Sequence, residues 1–357
     1  MTQLAPNESV TGAEAMVALT AMRADASSLT GRHPAHVFRP LPEILAGWEA
    51  NGIGTMPFRV GVDIATHRYA GYGLAKMLPL ERVLVGCESS RAGAFGGFHH
   101  PDQGYRHFQM VALITMYGPM EGRNPERPTL ALLDLLRAYT HDCLHYGSRR
   151  RYVEVAGMPF RTQYGINYRR TSGQSYSAAD PCESHHTRNL GIIMEGACDK
   201  EARAITRQMA ENFGVAEPSD VLGSLAFRDV TGRLTEEDAG RVVDIPGSEE
   251  QTRYAAALRG YEKDVNRRYA HFLEEFAPGE ERECHTRLLT AIISGDVAEL
   301  GAWLDARHGP GAFAGLFRTP EYFAPTDPRG GQRRDPRARP FRVHAPRAPG
   351  QRPREQR

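Results

Sequence analysis

Residues 129–148, TLALLDLLRAYTHDCLHYGS, contain the clearest structural signal in this chain of 357 residues. Their leucines recur at the spacing that places apolar side chains on one side of a helix. Thr129 comes directly before the run, and threonine is a residue type that caps helix N-termini. We therefore predict a long helix that begins with Thr129 as its N-cap, with Leu132, Leu136 and Leu144 facing the core.

Two histidines lie near the end of this predicted helix, at His141 and His145. Positions i and i+4 occupy the same helical face, one turn apart. Two imidazole nitrogens at this spacing can bind one metal ion, with Zn–N distances of roughly 2.0–2.1 Å. A third protein ligand then has to come from another element.

Glu195 is the candidate for that third ligand. It follows the apolar residues 192–194 in a second predicted helix, residues 189–213. A carboxylate in such a setting is costly to bury unless it is paired or binds a metal. Asp199 follows one turn later, where it can accept a hydrogen bond from the second ring nitrogen of a metal-binding histidine.

The segment from His141 to Glu201 resembles the zinc metallopeptidases of the gluzincin type, which carry HExxH on one helix and a ligand Glu on a later helix. The matching motifs are HDCLH, with His141 and His145, and EGACD, with Glu195. The resemblance implies a Zn²⁺ or other divalent metal held by these three residues, and a peptide or small amide or ester substrate. It also implies that Asp142, one methylene shorter than the family's Glu, is the general base.

A second interpretation uses the same region differently. His141-Asp142 also resembles the dyad of the HD-type metal-dependent phosphohydrolases, an all-helical family. His107 and Asp199 would then complete the ligand set, and Glu195 would have no role. A third interpretation involves no metal: the two histidines are buried and hydrogen-bonded, and Glu195 is exposed at the start of a helix.

Several other polar residues are weaker candidates. We expect the pairs 99–100 and 185–186, both His-His, to be exposed in polar loops, and Cys143 to face away from the histidines without a nucleophilic role. A tyrosine near the site can donate a hydrogen bond to a developing oxyanion, although tyrosines in hairpins more often pack. The tyrosines concerned are Tyr146, Tyr164 and Tyr168. The Gly-rich loop at 87–98 lacks GK[ST] and is not a phosphate-binding P-loop.

The rest of the chain predicts a mainly helical α+β protein. Further helices are expected at 13–26, 107–118, 250–276 and 281–306, a strand at 82–86, a β-hairpin at 152–168, and irregular chain at 30–60 and 171–187. We divide the chain into a mixed N-terminal region (1–104), a metal-site core (105–214), a C-terminal helical region (215–325) and a disordered tail (326–357).

Charge is distributed unevenly along the chain. The tail has ten arginines against three acidic residues, a charge of +7, which leaves −6 for the rest of a chain whose net charge is +1. Its six prolines and scarce apolar residues predict disorder. A non-enzymatic alternative follows: a helical binding module whose basic tail contacts nucleic acid, a membrane or an acidic partner.

The composition also limits where the protein is expected to work. No apolar stretch approaches the roughly 20 residues of a bilayer-spanning helix, and the N-terminus shows no basic region followed by an apolar run. We therefore expect a cytoplasmic protein. Its five cysteines include no CxxC pair, so we expect them to be reduced and mostly buried.

Overall fold

The computed structural model describes residues 4–24, 36–89, 97–100, 106–109, 124–171, 176–177, 180–181, 184–241 and 249–317. Helices predominate in these residues, and two small sheets accompany them. The mainly helical α+β fold predicted from the sequence is therefore confirmed. The predicted tail at 326–357 lies outside the described residues, and the boundaries proposed between the regions of the chain stay predictions.

The described residues contain twelve α-helices. They are α1 (Ala13–Ala24), α2 (Leu41–Ala50), α3 (Met56–Ala70), α4 (Pro128–Gly147), α5 (Leu190–Asn212), α6 (Val221–Val230), α7 (Glu236–Arg241), α8 (Glu249–Tyr261), α9 (Arg268–Phe276), α10 (Glu281–Ser294), α11 (Ala298–His308) and α12 (Ala312–Phe317). A π-helical segment, Glu262–Arg267, joins α8 to α9, so the predicted helix at 250–276 is helical throughout.

The strands form two four-stranded sheets. The strands are β1 (Glu8–Thr11), β2 (His36–Pro40), β3 (Val83–Ser89), β4 (Gly97–His100), β5 (Arg106–Gln109), β6 (Arg150–Val155), β7 (Met158–Tyr164) and β8 (Asn167–Tyr168). The first sheet has the order β1-β6-β7-β8 and the second the order β2-β3-β5-β4.

The first sheet contains the predicted hairpin. Strands β6 and β7 are antiparallel and turn at Ala156 and Gly157, whose φ angles of 51° and 74° suit the tight turns that follow the twist of a hairpin. Strand β1 pairs in parallel with β6. The fully buried Arg150 donates from Nε to Oε1 of Glu8 at 2.9 Å, which fixes the N-terminal strand to the start of β6.

Helices α4 and α5 pack against each other in the core. Leu132, Leu136 and Leu144 of α4 are buried, as predicted. Helix α5 confirms the predicted helix at 189–213. Asn189 caps this helix by accepting hydrogen bonds at Oδ1 from the backbone N–H groups of Gly191 and Ile192. One cluster of buried apolar residues reaches from α2 to α12.

The predicted start of α4 is wrong by two residues. The helix begins at Pro128 with Arg127 in the N-cap position, and Thr129 lies inside the first turn. Proline is favoured there because the N–H that it lacks has no acceptor within the helix. The expected irregular chain at 30–60 is wrong for most of its described part, which contains the strand at 36–40, α2 and the start of α3. The same rule applies to the two helices, because Pro42 and Pro57 lie in their first turns.

The predicted helix at 107–118 is wrong at its start. Residues Arg106–Gln109 form β5, which pairs in parallel with β3 and antiparallel with β4. Backbone hydrogen bonds to two neighbouring strands outweigh the local apolar pattern. The helical pattern of residues 107–118 does not show this pairing. The remaining residues of that prediction, 110–118, lie outside the described part.

Two further predictions need correction. Strand β3 extends to Ser89, and Gly97 and Phe98 belong to β4, so the described ends of the Gly-rich segment at 87–98 are strands rather than loop. The predicted helix at 281–306 is divided into α10 and α11. Gly295 ends α10 with a φ of 72°, a left-handed conformation that glycine adopts readily and that stops a helix.

None of the described helices is both long enough and apolar enough to cross a bilayer.

We predict that Gly196→Ala destabilises the protein although alanine favours helices. A methyl group at this position of α5 would overlap with Cβ and Cγ of the buried Tyr269 on α9. Overpacking of this kind costs about 1–3 kcal/mol, more than the roughly 1 kcal/mol gained from helix propensity. Thermal unfolding measures the effect. The control is Gly47→Ala in α2, where nothing lies within 4 Å and the melting temperature is expected to rise slightly.

Candidate metal centre

His141 and His145 on α4 meet Glu195 on α5. One ligand atom from each residue lies within 4.8 Å of the other two. The Nε2 atoms of the histidines are 2.9 Å apart, and the Glu195 oxygens lie 3.3 Å from His141 Nε2 and 3.1 Å from His145 Nε2. Both rings are largely buried, whereas a third of the Glu195 side chain is exposed. The cluster therefore opens to solvent on the side of Glu195.

Each member of the cluster has a partner behind it. His145 Nδ1 lies 2.7 Å from the Tyr164 hydroxyl, at the end of β7. His141 Nδ1 lies 3.6 Å from Oδ1 of Asp199. Tyr261, the last residue of α8, donates its hydroxyl to Oε1 of Glu195 at 2.9 Å. Contacts of this kind fix ring orientation and tautomer in metal-binding histidines.

Asp199 is held by two arginines. Arg137 Nη2 lies 2.8 Å from Oδ1, and Arg203 Nε lies 2.8 Å from Oδ2. Arg203 continues to Asp229 and to Glu262, its Nη1 lying 2.9 Å from Glu262 Oε2. A buried ionic network therefore lies beneath the histidines and connects α4, α5, α6 and the π-helical segment.

The charges in this cluster shift its pKa values strongly. Burial opposes a charge on His141, but Glu195 and Asp199 outweigh it and raise the pKa of His141 to about 9. Burial lowers the pKa of His145. Burial also disfavours the Glu195 carboxylate, yet the two histidines hold the pKa of this group well below its usual range. The raised pKa of His141 shows that the two carboxylates favour a positive charge at this ring.

The donor set suits a divalent metal. Two imidazole nitrogens with one carboxylate oxygen form a ligand set found in catalytic zinc sites, where a fourth position stays open for water or substrate. Buried His141 Nδ1 has no hydrogen bond within normal distance but faces the Asp199 carboxylate. That arrangement leaves Nε2 as the coordinating atom. The residues present therefore fit the metal that the sequence predicts.

The other predicted site residues lie outside this cluster. Asp142 is buried on α4 but is not among the three residues whose ligand atoms meet. His107 lies in β5, where its backbone pairs with Val83 and His99. Cys143 is fully buried, and burial raises the pKa of its thiol to about 12, which makes it a poor nucleophile.

The remaining histidines and tyrosines have varied positions. His185 and His186 are exposed as expected, whereas 99–100, expected in a loop, belong to β4. Tyr164 lies behind His145 rather than at the open side of the cluster. Tyr146 is buried with its ring against Arg150, and the Tyr168 hydroxyl donates to the carbonyl of Gly295.

Arg137 and Tyr261 are site residues that the sequence reasoning missed. Tyr261 lies in the predicted helix at 250–276, where Tyr254, Leu258 and Tyr269 share its helical spacing and indicate core packing. Only the hydroxyl of Tyr261, which binds Glu195, distinguishes it from a phenylalanine in that role. Arg137 lies in a leucine-rich helix one turn before His141. A charge at that position requires a buried partner, and this requirement was a usable signal.

Comparison of the chain with protein-family models, with curated proteins and with solved structures found no match.

We predict that Asp199→Asn strongly destabilises the folded protein. The substitution keeps the shape of the side chain but leaves the buried Arg203 and the half-buried Arg137 without part of their compensating charge. Removing one partner from a buried ion pair typically costs about 3–5 kcal/mol. Urea unfolding measures the loss. Glu280→Gln, in an exposed pair with Arg307, serves as control and should change the stability little; equal effects for both variants would contradict the prediction.

Proposed function

We propose that this protein is a metal-dependent hydrolase that resembles the zinc metallopeptidases. The proposal rests on one observation: His141, His145 and Glu195 bring three suitable ligand atoms within 4.8 Å on two packed helices. We propose zinc because two imidazoles and one carboxylate form a common ligand set of catalytic zinc sites. His141 and His145 would bind through Nε2 and Glu195 through its carboxylate, with Asp199, Tyr164 and Tyr261 as their outer partners.

The carboxylates at the cluster support a bound cation. Glu195 contacts both histidines, and Asp199 lies behind His141. Once both rings are neutral, a negative charge at this position favours a cation between them.

The hydrolytic chemistry follows from such a site. A bound zinc ion polarises a carbonyl or phosphoryl oxygen and lowers the pKa of water toward about 7. In our proposal the Asp142 carboxylate accepts the proton of the attacking water and returns it to the leaving group. The substrate class carried over from the resemblance is a peptide or a small amide or ester.

The geometry favours this ligand set over that of the HD-type phosphohydrolases. That alternative needs Asp199 as a ligand, but both of its carboxylate oxygens already bind guanidinium groups, of Arg137 and Arg203. It also needs Asp142 beside His141, whereas Glu195 is the carboxylate that meets the histidines.

Metal binding is the first test. We predict that the purified protein binds Zn²⁺ in a 1:1 ratio and that His145→Ala and Glu195→Gln each weaken binding at least tenfold, because each removes one of three protein ligands. His107→Ala is expected to leave the affinity nearly unchanged. Elemental analysis and competition with a chromophoric chelator give the stoichiometry and the affinities.

The opposite ranking, with His107 essential and Glu195 dispensable, would favour the phosphohydrolase interpretation. A protein that binds no transition metal would exclude a metal-dependent hydrolase and leave the helical binding module.

The role of Asp142 gives a separate prediction. Asp142→Asn should keep the metal and lose most of the hydrolytic turnover, since only proton transfer is removed, an effect of about 10²–10⁴-fold. Activity is followed on a panel of peptide, amide and ester substrates, with metal content measured on the same samples. Loss of metal in this variant would instead identify Asp142 as a ligand.

A further inference from the structure

Arg137 has an unusual position in the candidate metal centre because it touches the outer partners of two different ligands. Its Nε and Nη2 atoms lie 3.0 Å and 2.8 Å from Oδ1 of Asp199, which faces His141. Its guanidinium carbon lies 5.7 Å from the ring centroid of Tyr261, which donates to Glu195. One side chain thus contacts the residues behind His141 on α4 and behind Glu195 on α5.

We infer that Arg137 is a positioning residue of the metal centre, which holds Asp199 and Tyr261 in the one arrangement that aims His141 and Glu195 at a shared ion. The inference rests on the proposed function, because it assumes that these residues bind a metal. The inference goes beyond the proposed function because it states that the ligands are aligned by Arg137, whose described side-chain contacts are with other residues.

The shape of the arginine side chain matters for this role. The planar guanidinium group presents two N–H groups to Oδ1 of Asp199 while its carbon lies over the Tyr261 ring, and a lysine ammonium cannot provide both contacts. Its Nη1 atom also lies 3.6 Å from Oδ2 of Asp229 and 3.8 Å from Oδ1 of Asp134, so the group is held from several sides. A rigid guanidinium group gives fixed positions to both of its partners.

Arg203 provides a contrast within the same network. It binds the other oxygen of Asp199 and reaches Asp229 and Glu262. Among the described contacts, only Arg137 joins the Asp199 side of the centre to Tyr261. Loss of Arg137 therefore releases the partners of two ligands, whereas loss of a more distant arginine affects stability alone.

The test compares Arg137→Gln and Arg137→Lys with Arg68→Gln in the Co²⁺-loaded full-length protein. Arg68 is the matched control because its Nη1 atom pairs with Glu201 of the same helix α5 at 3.2 Å, away from the three ligands. We expect Arg137→Gln to weaken Co²⁺ binding 10- to 100-fold, the range typical of outer partners of metal ligands, and to change the visible absorption bands of bound Co²⁺. Arg68→Gln should lower the melting temperature but keep affinity and spectrum.

A double-variant cycle tests the route through Tyr261. Tyr261→Phe keeps the ring against Arg137 and removes the hydroxyl that binds Glu195. If Arg137 acts partly through Tyr261, the double variant Arg137→Lys/Tyr261→Phe loses less affinity than the product of the two single losses. The Arg137→Lys variants also test the inference if Arg137→Gln does not fold, because lysine keeps the positive charge at this position.

The outcomes separate the two proposals. Wild-type protein that binds no Co²⁺ or Zn²⁺ overturns both the proposed function and this inference. Wild-type protein that binds the metal, with unchanged affinity and spectrum in folded Arg137 variants, overturns this inference alone and leaves the metal centre in place.

Discussion

The ion pairs of Asp199 are the constraint on which the centre of this molecule depends. A carboxylate that is almost fully buried is tolerated because Arg137 and Arg203 bind its two oxygens from opposite sides. Those arginines come from α4 and α5, so the ionic contact also sets how these two helices face each other. The same two helices carry the two histidines and the glutamate, so the ion pair between Arg137 and Asp199 lies directly beside the candidate ligands.

The π-helical segment places further residues on this centre. Tyr261 ends α8 just before the segment, and Glu262 begins it and binds Arg203. Segments with the wider π-helical turn often lie at functional sites, because the change in residues per turn redirects side chains. Here two adjacent residues contact different parts of one site: Tyr261 binds the carboxylate of the candidate ligand Glu195, and Glu262 binds Arg203 in the ionic network. The ionic network and the candidate ligands thus belong to one cooperative structure.

The sequence predicts the three candidate ligands but not Arg137 and Tyr261, which surround them. His141 and His145 follow from i,i+4 spacing, and Glu195 from a carboxylate beside an apolar run, since these patterns are local. Arg137 and Tyr261 act across helices, and no spacing within α4 or α8 identifies their partners. The same distinction holds for the fold. Helices with strong local patterns, such as α5, are predicted almost to their ends. Strand β5 is different, because its conformation depends on backbone pairing with β3 and β4, which its own apolar pattern does not indicate.

The parallel pairing of β1 with β6 has a consequence for how the chain folds during synthesis. Glu8 and Arg150 are 142 residues apart, and both side chains are buried where they pair. At about 5–20 residues per second, roughly 7–30 s pass between the synthesis of Glu8 and that of Arg150. Contacts of such long range slow folding because the loop must close before they form. The N-terminal strand is thus made first and docks late, and until then it stays accessible to chaperones and proteases.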